Sequence, residues 1–203
     1  MIPIVPRSLA LAVASVSVFG CDTDRLRSSA KSDLTWTGVT TVIQGRDFFD
    51  SNKNPDGAGA RHDYTLSEDG QLVVDSATTL IWQRSSSQQL SLEAAATYIA
   101  ELRMRNFAGH SDWRLPTFEE AASLVQPVRE GPLYLSGLFD NALMFSDTTA
   151  TVRAMMWTSD IVVDTLMPPE LREMPLIVEY YMGLTGAMPA TRREAVARAV
   201  RSW

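Results

Sequence analysis

Residues 111–125 read SDWRLPTFEEAASLV, and this stretch says more about the fold than any other. Thr117 is followed three positions later by Glu120, a capping-box arrangement in which the hydroxyl and the carboxylate satisfy each other's backbone donors. A helix is therefore expected to open at Thr117 and to end at Pro127. Glu119 and Glu120 look at first like an acid/base pair. Neighbours on a helix diverge by about 100°, however, and a glycosidase pair must face across a substrate-sized gap. Both acids fall in a first turn, where the helix dipole favours negative charge, so a capping role is expected. Arg114, between Trp113 and Leu115, is expected to bridge loop carbonyls or a carboxylate inside the domain rather than to meet an anionic ligand.

Upstream, Leu92, Ala95, Ala96, Ile99 and Leu102 recur at helical spacing behind a Ser91 N-cap, with Gly109 available as a stop. Earlier still, QLVVD (71–75) and TLIWQ (79–83) are rich in β-branched and aromatic residues and flank the polar break Ser76-Ala77-Thr78, the pattern of a β-hairpin. The segments TWTGVTTVI (35–43) and DYTL (63–66) are expected to be extended, separated by a turn-rich stretch at 50–59. Beyond Pro132 loops dominate, with strand-like pieces at 155–158 and 175–182. At the carboxy terminus, residues 191–194 can cap a helix whose apolar stripe is Val196, Ala199, Val200 and Trp203, but alternation of Val196, Arg198 and Val200 equally permits a strand.

The amino terminus has a different character. Arg7, the apolar run LALAVASVSVF (9–19), Gly20 and Cys21 follow the order of an export signal, and the run is too short to span a bilayer. Val18-Phe19-Gly20-Cys21 resembles a bacterial lipobox, so residues 1–20 are expected to be a signal peptide and Cys21 the lipidated mature terminus. The polar residues 21–33 then read as a tether, and 34–203 as one domain. The 203 residues carry 18 Lys+Arg against 24 Asp+Glu, a net charge of −6 that argues against nucleic acid as a partner. Cleavage before Cys21 would remove Arg7 and no acid, making the mature chain slightly more acidic at −7 (17 − 24). A single cysteine excludes intrachain disulfides, paired-cysteine zinc sites and CxxC chemistry.

Taken together, VVDSATTLIWQ (73–83), AAATYIAEL (94–102), SDWRLPTFEEAASLV (111–125), MWTSD (156–160) and the final VARAVRSW resemble the Lcl C-terminal-domain family. The resemblance covers roughly residues 66–203 and is clearest over 66–160. It implies an α+β, C-type-lectin-like fold, similar to that of formylglycine-generating enzymes, with about two helices packed on short antiparallel strands and long irregular loops. It also implies an exported bacterial protein and a last segment that pairs as a strand. Two places depart from the family pattern. Thr79 stands where glycine is usual in a turn needing positive φ, and 160–174, with Met167-Pro168-Pro169, is unlike it.

No catalytic, cofactor or metal site is expected. There is no GxSxG or HExxH, no cysteine after Cys21, and only His62 and His110 as histidines; His110 reads as a loop or helix-end residue. The stretch from Asp50 to Gly57 alternates oxygen-bearing side chains as calcium loops do. Pro55 replaces the glycine of the sixth position and Arg61 the glutamate of the twelfth, so a turn-rich loop is expected instead. Trp82, Trp113 and Trp157 could stack on sugars but are expected in the core with their N–H groups bonded, and the basic cluster Arg192, Arg193, Arg198 and Arg201 is expected on a solvated face. The expected role is a lipid-anchored binding or adhesion domain of the envelope, with a glycan or protein as partner. An enzyme using carboxylates such as Asp140 or Asp147, and a structural scaffold, are the alternatives.

Overall fold

The computed structural model describes Leu26, residues 33–144 and residues 154–203. The leader expected at 1–20, Cys21, most of the tether expected at 21–33, and Asp147 lie outside the described residues.

The first strand, β1 (Asp33–Leu34), leads into α1 (Trp36–Gly45). This helix corrects the extended reading of 35–43. Thr35 caps it by accepting the Gly38 N–H, and Val39 and Ile43, four apart, turn into the core. The threonines that suggest a strand are accommodated because Thr40 and Thr41 donate to the carbonyls of Trp36 and Thr37, four residues back. The hairpin region forms as expected: β2 (Tyr64–Leu66), β3 (Leu72–Asp75) and β4 (Leu80–Gln83) pair antiparallel. Thr79 occupies the turn at φ 58°, the left-handed conformation for which glycine is suited.

After β5 (Gln89–Leu90) comes α2 (Leu92–Met104), capped by Ser91, with Ala95, Ile99 and Leu102 buried. It stops at Met104, short of Gly109, which instead ends the next turn together with left-handed Asn106 and Ala108. The capping box of α3 (Phe118–Ser123) is complete, but the helix closes four residues before Pro127. Two long strands follow, β6 (Met155–Val163) and β7 (Glu173–Glu179), then β8 (Leu184–Ala187). The unfamiliar stretch at 160–174 is thus the end of this hairpin and its tip. The C-terminal segment is extended, as β9 (Ala195–Val196) and β10 (Val200–Ser202).

These strands make two sheets in a mixed α+β domain. The larger runs β5-β9-β6-β7-β8 with β1 parallel to β6, and the smaller runs β10-β4-β3-β2. The C-terminal strand pair belongs to both sheets, β9 in one and β10 in the other, so residues 197–199 form the crossing. A helix there would break both pairings. Arg198 lies in this crossing and is fully buried, which corrects the expected solvated face: Arg192 and Arg193 are exposed, whereas Arg198 is interior and Arg201 half-buried. The main core gathers Val39, Ile43, Phe48, Trp82, Phe118, Val162 and Val178 between the sheets and helices. Leu26 also packs there, although nothing in the polar stretch around it suggests contact with the domain.

Candidate functional site

The chemistry-bearing residues of 111–125 are spent on the interior. Arg114 donates to both oxygens of Glu120, at 2.7 Å each, and Glu120 is fully buried and also accepts the Thr117 N–H. Asp160 sits at an irregularity in the pairing of β6 with β7, and its carboxylate accepts the Phe118 N–H at 2.7 Å at the start of α3. Glu119 pairs with Arg46 at 2.6 Å, on α1's C-terminal side. Each of these contacts joins one element to another, and none leaves two carboxylates facing an open gap.

The three tryptophans are all buried. Trp113 and Trp157 donate to the carbonyls of Phe107 and Leu90, as expected, whereas the Trp82 N–H has no partner among the described residues and its ring stands edge-on to Phe139. Asp50 is fully buried, although residues 51, 52, 55, 56 and 58 of this turn-rich loop are exposed. One oxygen accepts Asn52 and Lys53 N–H groups and the other takes the Thr185 N–H and hydroxyl, so the loop is a structural clasp to β8. Gly57 is required there, because a Cβ would stand 2.4 Å from the Phe48 carbonyl. No group of three or more metal-ligating side chains occurs among the described residues.

His62 lies against Asp75 at 2.6 Å through Nδ1 and against the Ser123 carbonyl at 2.8 Å through Nε2. Both neighbours present acceptor oxygens, so the ring ties β3 to the end of α3. Burial opposes ionisation of Asp75, but hydrogen bonds from His62, the Asp63 N–H and Thr78 together hold its carboxyl below the usual range. Asp69, bonded by Ser67, and Asp112, bonded by Arg201, are likewise lowered. A general acid needs the opposite shift. His110 stands at the end of the turn after α2, edge-on to Trp113, and the exposed Asp140 accepts the Ala142 N–H.

Arg198 donates to the carbonyls of Gln83, Arg84 and Asp140 and to Asn141 Oδ1, and its guanidinium lies 4.7 Å from the Phe139 ring centre. Burial brings it down to about 10, which leaves it charged at neutral pH. It pins residues 139–141 against the sheet crossing.

The surface offers one group of a different kind. Arg129 donates to the Tyr181 carbonyl at 2.8 Å, and its guanidinium sits 4.6 Å from the Tyr134 ring centre and 5.1 Å from that of Tyr181. Tyr134 stacks on Phe49 at 5.2 Å, and a side chain on Gly183 would collide with it, so the ring is fixed from behind. Val128 and Met182, the sequence neighbours of the contacting pair, are 73% and 52% exposed. Guanidinium, two aromatic rings and two exposed apolar side chains together make a surface typical of binding hot spots. Sequence reasoning missed it because Arg129 and Tyr181 are 52 positions apart and neither falls in a recognisable motif.

Among curated proteins and among solved structures nothing matches this chain. A family model does, over residues 71–201, and on that match the chain belongs to the family of the Lcl C-terminal domain.

Proposed function

We propose that this chain is an exported, lipid-anchored, non-catalytic binding domain of the bacterial envelope, of the C-type-lectin-like kind. Its working surface is the face built around Arg129, Tyr134 and Tyr181. The observation that carries the reading is this braced and exposed face. Aromatic rings and a guanidinium held in place before contact lose little conformational entropy on binding. The role of Cys21 rests on the lipobox-like VFGC and on the apolar run before it.

The test is retention of the full chain on isolated envelopes, comparing wild type with Arg129→Ala and Tyr181→Ala in a Cys21→Ser background that removes the acyl anchor. Arg129→Ala should keep its melting temperature within about 2 °C, as an exposed substitution altering stability by roughly 0.5 kcal/mol, whereas Tyr181→Ala, whose ring packs against the core, is compared only for its folded fraction. Retention should fall at least tenfold. Equal retention of both variants and the parent would refute the assignment of the face.

A further inference from the structure

The buried position of Leu26 bears on where this face points. Leu26 is only 7% exposed and lines, with Arg46, Phe48, Gly59 and Arg61, a cavity of about 260 Å³. It lies five residues after Cys21, so acyl chains on Cys21 would hold this part of the domain within about 18 Å of the bilayer, at roughly 3.5 Å per residue. A free tether reaching to residue 33 would allow more than twice that distance. Gly59 of the cavity wall abuts Pro127, since a Cβ on it would stand 3.0 Å from that ring, and Val128 and Arg129 come next in the chain.

We propose that the Arg129 face docks on the interfacial zone of the bilayer that carries the Cys21 lipid. This rests on the lipid-anchored reading above and names the partner of that face. Val128 and Met182 enter the boundary of the acyl chains, Tyr134 and Tyr181 lie at headgroup level, where amphipathic rings are favoured, and Arg129 keeps its charge in the wet layer. The contact is apolar and aromatic rather than electrostatic, because Glu130 adjoins Arg129 and the chain as a whole is acidic. Several weak apolar contacts suffice because the anchor has already brought the domain to the surface.

The experiment uses the full, lipidated chain in vesicles of phosphatidylethanolamine and phosphatidylglycerol. Single cysteines at Val128→Cys, Met182→Cys and Met104→Cys are each labelled with an environment-sensitive fluorophore, Cys21 being acylated and unreactive. Met104 is 80% exposed at the end of α2 and serves as the reference. Labels at 128 and 182 should shift to the blue and lose at least half their emission to shallow spin-labelled lipids, while the label at 104 stays water-like. If the chain floats with the vesicles but all three labels behave as in water, the docking is wrong and the anchor stands. If soluble glycan shields positions 128 and 182 and lipid does not quench them, the face belongs to a glycan and the proposal is overturned. A chain that fails to float refutes the anchor, and the docking with it.

Discussion

Replacing Arg114 by alanine tests whether the residue at the centre of 111–125 is structural. Glu120 is fully buried; Oε2 would keep the Thr117 N–H, while Oε1 would lose the Arg114 N–H at 2.7 Å. Breaking a buried ion pair from one side costs about 3–5 kcal/mol. The Arg114 side chain is 24% exposed, so water can reach part of the vacated space and the lower end applies, about 3 kcal/mol. For a domain of this size that is a fall in melting temperature of about 6–12 °C. Near-ultraviolet circular dichroism would follow the transition, and Arg114→Ala combined with Glu120→Gln should recover part of the loss, since the second change removes the stranded charge. A melting temperature within about 2 °C of wild type, together with lost binding to envelopes, would refute the structural assignment and move Arg114 to the binding machinery.

Thr79→Gly should raise stability by about 0.5–1 kcal/mol in a urea titration, relief of the left-handed β-branched residue outweighing the added chain entropy; a loss would show that the Thr79 hydroxyl matters more than the backbone. Arg198→Met should lower stability by about 3 kcal/mol, less than its four hydrogen bonds suggest because burying a guanidinium is itself unfavourable, and an unchanged urea midpoint would contradict the pinning of 139–141 by Arg198. The lowered Asp75 carboxyl gives a sign in acid: its contribution is fully present above the ordinary aspartate value of about 3.9 and is lost as pH falls through the lower folded value. Melting measured from pH 6 to pH 2 should therefore show a loss below about pH 4 that Asp75→Asn, already destabilised, shows less strongly.

Much of the fold could be read from local chemistry. The hairpin of β3 and β4 and the Ser91 and Thr117 caps each follow from a few adjacent residues, whereas the left-handed Thr79 has no local signal and is marked only by the glycine usual at that place in the family. Helix α1 could not be read this way, because five of its ten residues are threonine or valine. Their strand preference yields only when Val39 and Ile43 find a core supplied by distant segments. Arg198 misled for a similar reason. Composition groups it with the exposed Arg192 and Arg193, while its hydrogen-bond acceptors come from residues 83–84 and 140–141. The Arg129 face depends on a contact across 52 positions, which no periodicity encodes.

The most direct test of the account is fractionation of cells expressing the full chain or Cys21→Ser, grown with labelled palmitate. Wild type should take up label and partition with membranes, whereas Cys21→Ser should take up none and accumulate as soluble or unprocessed chain. Wild type that carries no label, is cleaved elsewhere than before Cys21 and appears in the soluble fraction would contradict the account.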